Sequence, residues 1–132
     1  MHYLRFSDST LRYLNQSGYL YDSSTNEMRN PYRVGDLWEF PVHIVDSYVF
    51  CKRARWQNQH LGQAREAAKK ILEKGFRRGI KYFTVLFHDV YFTDAYEEWR
   101  DWYIWVINYV RDNGFSFIDY HTAIEEIEFR GG

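Results

Sequence analysis

The sequence predicts an α/β fold in which parallel strands alternate with helices. Two long stretches, residues 61–74 and 93–112, carry apolar residues at helical spacing. Shorter apolar runs that are typical of strands lie between and beside them, at residues 37–48, 81–87 and 115–119. Because strands and helices alternate along the chain, we expect parallel β/α units, enough for half of a β/α barrel or for a small open sheet.

Capping and turn residues set the remaining boundaries. They predict, in chain order, a helix over residues 7–17, a strand over 19–21, a loop over 22–35 and a last helix over 122–129. Pro41 cannot donate a ladder hydrogen bond, so it marks an edge or a break in the strand over 37–48. Gly75 suits the position just after the helix over 61–74. Residues 49–60 receive no assignment.

Composition indicates one globular domain spanning residues 1–132, because 45% of the residues are hydrophobic and 27% are charged. The formal net charge is −1 and the basic residues are interspersed with acidic ones, which argues against a nucleic-acid-binding protein. Cys51 is the single cysteine, so no internal disulfide can form and a reducing compartment is expected. No apolar run is long enough for a signal peptide or a membrane span. We therefore expect a soluble, cytoplasmic protein.

The five histidines do not form a recognisable metal site. No two of them stand four residues apart on a predicted helix, and no cluster of Cys and His is present. On a continuous strand His43 and Asp46 would point to opposite faces, whereas Glu39 and His43 would share a face at a distance of roughly 13 Å. We therefore expect no metal ligands and no cofactor in this chain.

His88 is the residue best placed for catalysis. It directly follows the predicted strand over residues 81–87, and Asp89 comes next. The carboxyl ends of parallel strands carry the reactive groups in α/β folds, and a titratable His there can act as a general acid or base. The alternative is a His that is bonded to loop backbone at a strand end.

The long helix over residues 93–112 is apolar on more than one side. Trp99, Trp102, Val106 and Val110 share one face, which we expect to be core. Large apolar side chains exceed what a core of this size obviously needs, among them Trp38, Phe40, Tyr82, Phe83, Trp105 and Tyr109. We therefore expect a homo-oligomer, most simply a two-fold dimer.

Four segments read together resemble the C-terminal half of the polysaccharide deacetylase (NodB-like) family. They are residues 18–24 (Gly-Tyr-Leu-Tyr-Asp-Ser-Ser), 37–42 (Leu-Trp-Glu-Phe-Pro-Val), 86–89 (Leu-Phe-His-Asp) and 113–118 (Asn-Gly-Phe-Ser-Phe-Ile). They occur in the order that the family has, and together they extend over nearly the whole chain. The resemblance implies a partial, C-terminal half of a β/α barrel.

The resemblance also implies a hydrolase of carbon–nitrogen bonds that acts on N-acetylated carbohydrate. In that family one Asp and two His hold a divalent metal, often zinc, which activates water, and the His of the late motif donates a proton. His88 takes that acid role here, and Asp46, Tyr48 and Asp89 are expected to lie near the substrate. The Asp-Asp and His-x-x-x-His segments of the family are not found in this sequence.

Because the sequence contains neither of these two segments, three interpretations follow. The first is a deacetylase-like hydrolase that works only when joined to an N-terminal half-barrel chain, which would bring the zinc. The second is a catalytically inactive half-barrel that oligomerises or binds carbohydrate. The third is an unrelated small α/β binding protein. The sequence alone leaves it open whether the chain is an enzyme.

Overall fold

The computed structural model describes residues 8–52 and 56–130 as a mixed α/β protein with short strands. Five α-helices are present in these residues: α1 (Asp8–Gln16), α2 (Asp46–Phe50), α3 (Leu61–Arg77), α4 (Glu97–Asp112) and α5 (Tyr120–Phe129). Five strands accompany them: β1 (Tyr21–Asp22), β2 (Tyr32–Val34), β3 (Leu37–Glu39), β4 (Ile44–Val45) and β5 (Val85–Leu86). None of the helices in the described residues has the length and apolar content that a membrane crossing requires.

The described residues divide into two compact units. Unit one comprises residues 8–42, 80–84 and 117–130, and unit two comprises residues 43–52, 56–79 and 85–116. The chain passes between them more than once, so each unit is assembled from segments that are distant in sequence.

Unit one contains a three-stranded sheet in the order β1-β3-β2. β1 runs parallel to β3, with Asp22 opposite Glu39, and β2 runs antiparallel to β3. The turn between β2 and β3 contains Gly35 at φ +63°, a left-handed conformation that glycine adopts at little steric cost. Asn15 of α1 braces this turn by accepting a hydrogen bond from Asp36 N at 2.9 Å. The sheet packs on α5 through a small core of Trp38, Phe40, Ala123 and Ile124.

Unit two is built on the packing of α3 against α4. Small residues of α3, Ala64 and Ala68, are fully buried and allow the large rings of α4 to come close. The indole of Trp102 is buried there and donates a hydrogen bond to Ala64 O at 3.1 Å. Phe50 of α2 stacks on Trp99 with ring centroids 4.5 Å apart. Beside the helices, β4 and β5 form a parallel pair.

Four of the helices, α1, α3, α4 and α5, lie where helices were predicted, although α4 begins at Glu97 rather than at residue 93, and α2 was not predicted. Trp99, Trp102 and Val106 are buried as expected, whereas Val110 is only partly buried. The last helix begins two residues earlier than predicted, since α5 starts at Tyr120, and α3 runs on to Arg77. Gly75 therefore lies inside α3, and the prediction that it ends the helix is wrong. The positive φ that follows this helix belongs to Gly79.

The strand predictions were less successful. The stretch 37–48 is two strands separated by residues 40–43, because Pro41 interrupts the ladder and α2 begins at Asp46. Of the strand predicted over residues 81–87, only β5 (Val85–Leu86) forms, and the predicted loop over residues 22–35 contains β2. No strand forms at residues 115–119, since Asp119 instead caps α5 by accepting from Thr122 N at 2.8 Å.

Parallel pairing is therefore limited, within the described residues, to one strand pair in each unit. This supports a mixed α/β class, while a half β/α barrel is not confirmed. Of the six large residues predicted to exceed the core, Trp38 and Phe40 are buried, and the other four are partly exposed.

Candidate acid–base site

His88 lies just beyond the carboxyl end of β5 in unit two. β4 and β5 are parallel and in register, with Ile44 opposite Val85 and Val45 opposite Leu86. The residues that follow the two strands therefore leave the sheet at the same edge. Asp46 follows β4 directly, which brings its carboxylate to His88 although the two residues are 42 positions apart.

Asp46 and His88 make two hydrogen bonds with each other. His88 Nδ1 lies 2.7 Å from Asp46 Oδ1, and the backbone N–H of His88 donates to Asp46 Oδ2 at 2.8 Å. Ser47 N donates to Asp46 Oδ1 at 2.6 Å, so both carboxylate oxygens accept hydrogen bonds. Asp46 is fully buried, whereas the side chain of His88 is 49% exposed. A buried carboxylate thus holds a half-exposed imidazole.

This geometry assigns the roles of the two ring nitrogens. An ionised Asp46 can only accept, so its Oδ1 accepts a hydrogen bond from Nδ1–H, which leaves Nε2 as the nitrogen that can take up or give away a proton. A carboxylate on Nδ1 also fixes the orientation of the ring. The arrangement is suited to general acid–base chemistry at Nε2.

The three residues predicted to bind substrate have different surroundings. Asp46 faces His88 and has no solvent-accessible surface, so its contacts are those of a group that positions His88. Tyr48 lies on α2 and is 47% exposed. Asp89 begins a single 3-10 turn, Asp89–Tyr91, and is also exposed. Hydrogen bonding to the His88 imidazole, within the described part of the chain, comes from Asp46 rather than from Tyr48 or Asp89.

An aromatic surface made of Trp56, Tyr91, Tyr96 and Trp99 lies next to His88. The ring of Tyr91 meets the His88 ring edge to face at 5.8 Å and packs on Trp99 at 4.1 Å. Trp56 stacks on Trp99 at 5.6 Å and lies 6.1 Å from Tyr91. Trp56 is nevertheless 61% exposed, whereas Trp99 is buried. The surface therefore presents an indole ring to solvent beside the acid–base pair.

Glu98 fixes the residues that directly follow Trp56. Its carboxylate accepts from Gln57 Nε2 at 3.0 Å and from Leu61 N at 3.2 Å, and it lies 3.1 Å from His60 Nδ1. The hydrogen bond from His60 is the main reason that the pKa of Glu98 is lowered. The segment from Gln57 to Leu61 is thus tied to α4. Residues 49–60 carry no predicted element or role, and Trp56 within that stretch was the available signal.

No group of three or more His, Cys, Asp or Glu side chains that could hold a metal ion occurs in residues 8–52 and 56–130.

Comparison with known proteins yields no match to a protein family, to a curated protein or to a solved structure.

Proposed function

We propose that this chain carries the acid–base part of a hydrolase site similar to that of the polysaccharide deacetylases. The supporting observation is the Asp46–His88 pair at the carboxyl ends of two parallel strands. Such a pair is expected of a group that protonates the amine as a carbon–nitrogen bond breaks. The order of four sequence segments in the chain adds to this support.

In the proposed reaction His88 enters as an imidazolium. Its Nε2 proton passes to the nitrogen of an N-acetylated sugar as the amide C–N bond breaks, and the imidazole is left neutral. Asp46 keeps its hydrogen bond to Nδ1 throughout and acts as a positioning residue. Activation of the attacking water needs groups outside the described residues. By the resemblance, an N-terminal half-barrel chain or segment would supply them together with zinc or another divalent ion, and the two halves would complete a β/α barrel.

Deacetylation of chitin oligosaccharides tests this proposal. The chain alone is expected to give no turnover, even with added zinc or cobalt, because its sequence contains neither the Asp-Asp nor the His-x-x-x-His segment of the family. Co-expression with a polypeptide that carries the Asp-Asp and His-x-x-x-His segments should restore turnover. His88→Ala should then abolish turnover, and the control Asp112→Ala, at an exposed position at the end of α4, should keep most of it. Restored turnover that His88→Ala leaves unchanged would contradict the assignment.

Carbohydrate binding without catalysis is a second candidate function, and the exposed ring of Trp56 favours it. A flat aromatic ring can stack on the C–H face of a sugar, while polar groups at its edge bond the hydroxyls. Titration with chitin oligosaccharides should change the intrinsic fluorescence, and Trp56→Ala should abolish that response. Trp105→Ala is the control, since Trp105 is not one of the four rings of this surface and stacks on Tyr109 instead. An unchanged response in Trp56→Ala would exclude this surface.

We also propose that the chain forms a homo-oligomer or binds a completing half-barrel chain. Large apolar side chains remain exposed in both units, among them Ile104 on α4 and Phe117 before α5. Light scattering at micromolar concentration is expected to show a species larger than the 16.1 kDa chain. A stable monomer would contradict self-association.

A further inference from the structure

A second pair of titratable groups, Asp22 and Glu39, lies in unit one. The two residues are direct partners in the parallel pairing of β1 with β3. Partners in a parallel pair project their side chains from the same face of the sheet, so the two carboxyl groups lie side by side. Glu39 has no solvent-accessible surface. This places like-charged groups together inside the protein.

The two oxygens of Glu39 have different surroundings. Oε1 accepts hydrogen bonds from Ser24 N at 2.8 Å and Thr25 N at 3.0 Å. Oε2 is buried, as is Asp22 Oδ2, and no donor among the described residues reaches either oxygen. A single proton between the two carboxyl groups resolves this arrangement, because a protonated carboxyl is the donor that the other one lacks. It also removes the repulsion between two adjacent negative charges.

Burial is the main cause that raises the pKa of Glu39, to about 7, and the hydrogen bond with Asp22 adds to it. The backbone N–H groups of Ser24 and Thr25 act in the opposite direction and favour the ionised form. The net effect is that one carboxyl of the pair keeps its proton up to neutral pH.

The neighbouring titratable groups do not neutralise the pair. Tyr32 on β2 is opposite Glu39, but its hydroxyl donates to Glu27 Oε1 at 3.0 Å. Burial and the bond to Glu27 raise the pKa of Tyr32 to about 12, so it stays uncharged. On α1, which packs against β3, Arg12 is exposed.

The acidic and basic side chains of α5 are also directed elsewhere. Glu128 accepts from the Trp38 indole at 3.2 Å, and the His121 ring packs against the edge of Tyr21 at 5.5 Å. In the described residues, therefore, a shared proton is what relieves the charge on the pair.

The pair holds the segment of residues 23–26 against β3. Glu39 binds two successive N–H groups of this segment, those of Ser24 and Thr25. On either side, Ser23 Oγ donates to Phe40 O at 2.7 Å and Asn26 Nδ2 donates to Val42 O at 2.7 Å. Ser24 and Thr25 are themselves fully buried. Movement of Glu39 would therefore free the N–H groups of Ser24 and Thr25 from their acceptor.

We propose that the Asp22–Glu39 pair is a pH-sensitive switch that fixes residues 23–26 while one proton is shared and loosens them when that proton is lost. Loss of the proton places two negative charges side by side in a buried setting, which favours a more open segment in which Glu39 meets water. This switch is independent of the function proposed for His88.

The pH range of the effect follows from proton linkage. In the open segment the pKa of Glu39 returns to its ordinary value of 4.5, whereas in the closed segment it is about 7. Opening therefore releases a proton between these two values, and its equilibrium constant should rise by up to about tenfold per pH unit there. Below 4.5 and above 7 the constant should level off.

Hydrogen exchange of the Ser24 and Thr25 amides, followed by NMR from about pH 4 to about pH 8, tests the switch. Their protection factors should fall by up to about tenfold per pH unit between 4.5 and 7, and should lie below that of the Leu72 amide, which is buried in α3. Constant protection over this range would overturn the proposal. Protection equal to that of Leu72 at every pH would also overturn it, because the segment would then open only when the whole protein unfolds.

Glu39→Gln is the matched variant. The introduced amide would retain an oxygen for Ser24 N and Thr25 N and would donate its own N–H to Asp22, but it cannot ionise. The protection factors of this variant should lose the pH dependence between 4.5 and 7. Should the variant fail to fold, carboxyl ¹³C titration of the unmodified protein still decides the question. One group of the pair should titrate near 7, and two titrations below about 5 would overturn the proposal.

Discussion

Glu39 in unit one and Asp46 in unit two are both fully buried acids on or next to a parallel strand pair, yet they are stabilised differently. Asp46 accepts three hydrogen bonds, one of them from an imidazole that can carry a positive charge. Glu39 accepts two backbone N–H groups on one oxygen, and its other oxygen meets the carboxyl of Asp22. The side chains of Glu39 and Asp46 are equally buried, but their hydrogen-bond partners differ.

The difference shows that the partner decides what a buried acid can do. Beside a histidine, the carboxylate fixes one ring nitrogen by a hydrogen bond, which leaves the other nitrogen for proton transfer. Beside a second carboxyl, the acid keeps a proton to neutral pH and becomes sensitive to pH. The first arrangement is suited to catalysis, and the second to a change of structure.

Removal of the Asp46 carboxylate is expected to have the largest effect. Asp46→Ala removes a fully buried carboxylate and leaves the partly buried N–H groups of Ser47 and His88 without their acceptor. We expect a loss of about 3 kcal/mol in the free energy of unfolding, measured by urea denaturation at about pH 7. Asp89→Ala is the control, because Asp89 is exposed and should change stability by less than about 0.5 kcal/mol. Equal effects of the two substitutions would show that the Asp46–His88 pair is not a stabilising contact.

The position of His88 was predictable because a strand end and the motif of residues 86–89 are local features of the sequence. Its partner was not predictable. The prediction treated residues 37–48 as one strand, and on such a strand Asp46 lies between neighbours rather than at an end. The break around Pro41 and the start of α2 at Asp46 create the site, and the pairing of β4 with β5 joins segments that are far apart in the sequence.

In unit one, too, the contact between two distant segments was not predictable from the sequence. Asp22 and Glu39 belong to segments that the sequence analysis singled out, residues 18–24 and 37–42, but not as partners. Their contact depends on the register of β1 with β3, which the alternation of apolar residues cannot fix in strands this short. Helices were easier to predict because their periodicity extends over many residues, as in α3 and α4.

Glu39→Gln should give the next largest effect, on the pH dependence of stability. Glu39 has a raised pKa in the folded state, so its contribution is complete below pH 4.5 and is lost as the pH rises through about 7. The unmodified protein should lose about 2–3 kcal/mol from this group over that range. Urea denaturation at a series of pH values should show a smaller loss in the variant. Parallel curves for the two proteins would contradict the assigned pKa.

Asp22→Asn should have a smaller effect and the opposite sign at high pH. The amide can donate to Glu39 Oε2 in place of the shared proton, and the repulsion between two carboxylates disappears. We expect a gain of about 1 kcal/mol at about pH 8 and little change at about pH 5. The same denaturation series measures both values. Destabilisation at the higher pH would mean that Asp22 has a further role in the folded state.

Tyr32→Phe should have the smallest effect on stability. It tests whether the hydrogen-bonded pair of Glu27 and Tyr32 contributes to the raised pKa of Glu39 in addition to burial and Asp22. The substitution removes the hydroxyl that donates to Glu27, at an expected cost of about 0.5–1 kcal/mol, but leaves the aromatic ring against β3. If Asp22 and burial together set the proton affinity of Glu39, its titration midpoint in carboxyl ¹³C spectra should hardly move in Tyr32→Phe, whereas it should fall clearly in Asp22→Asn. A shift in Tyr32→Phe as large as that in Asp22→Asn would assign the effect to the wider polar network of Glu27 and Tyr32. The pKa of Glu39 would then depend on more than its carboxyl partner Asp22, and the contrast with the Asp46–His88 pair would fail.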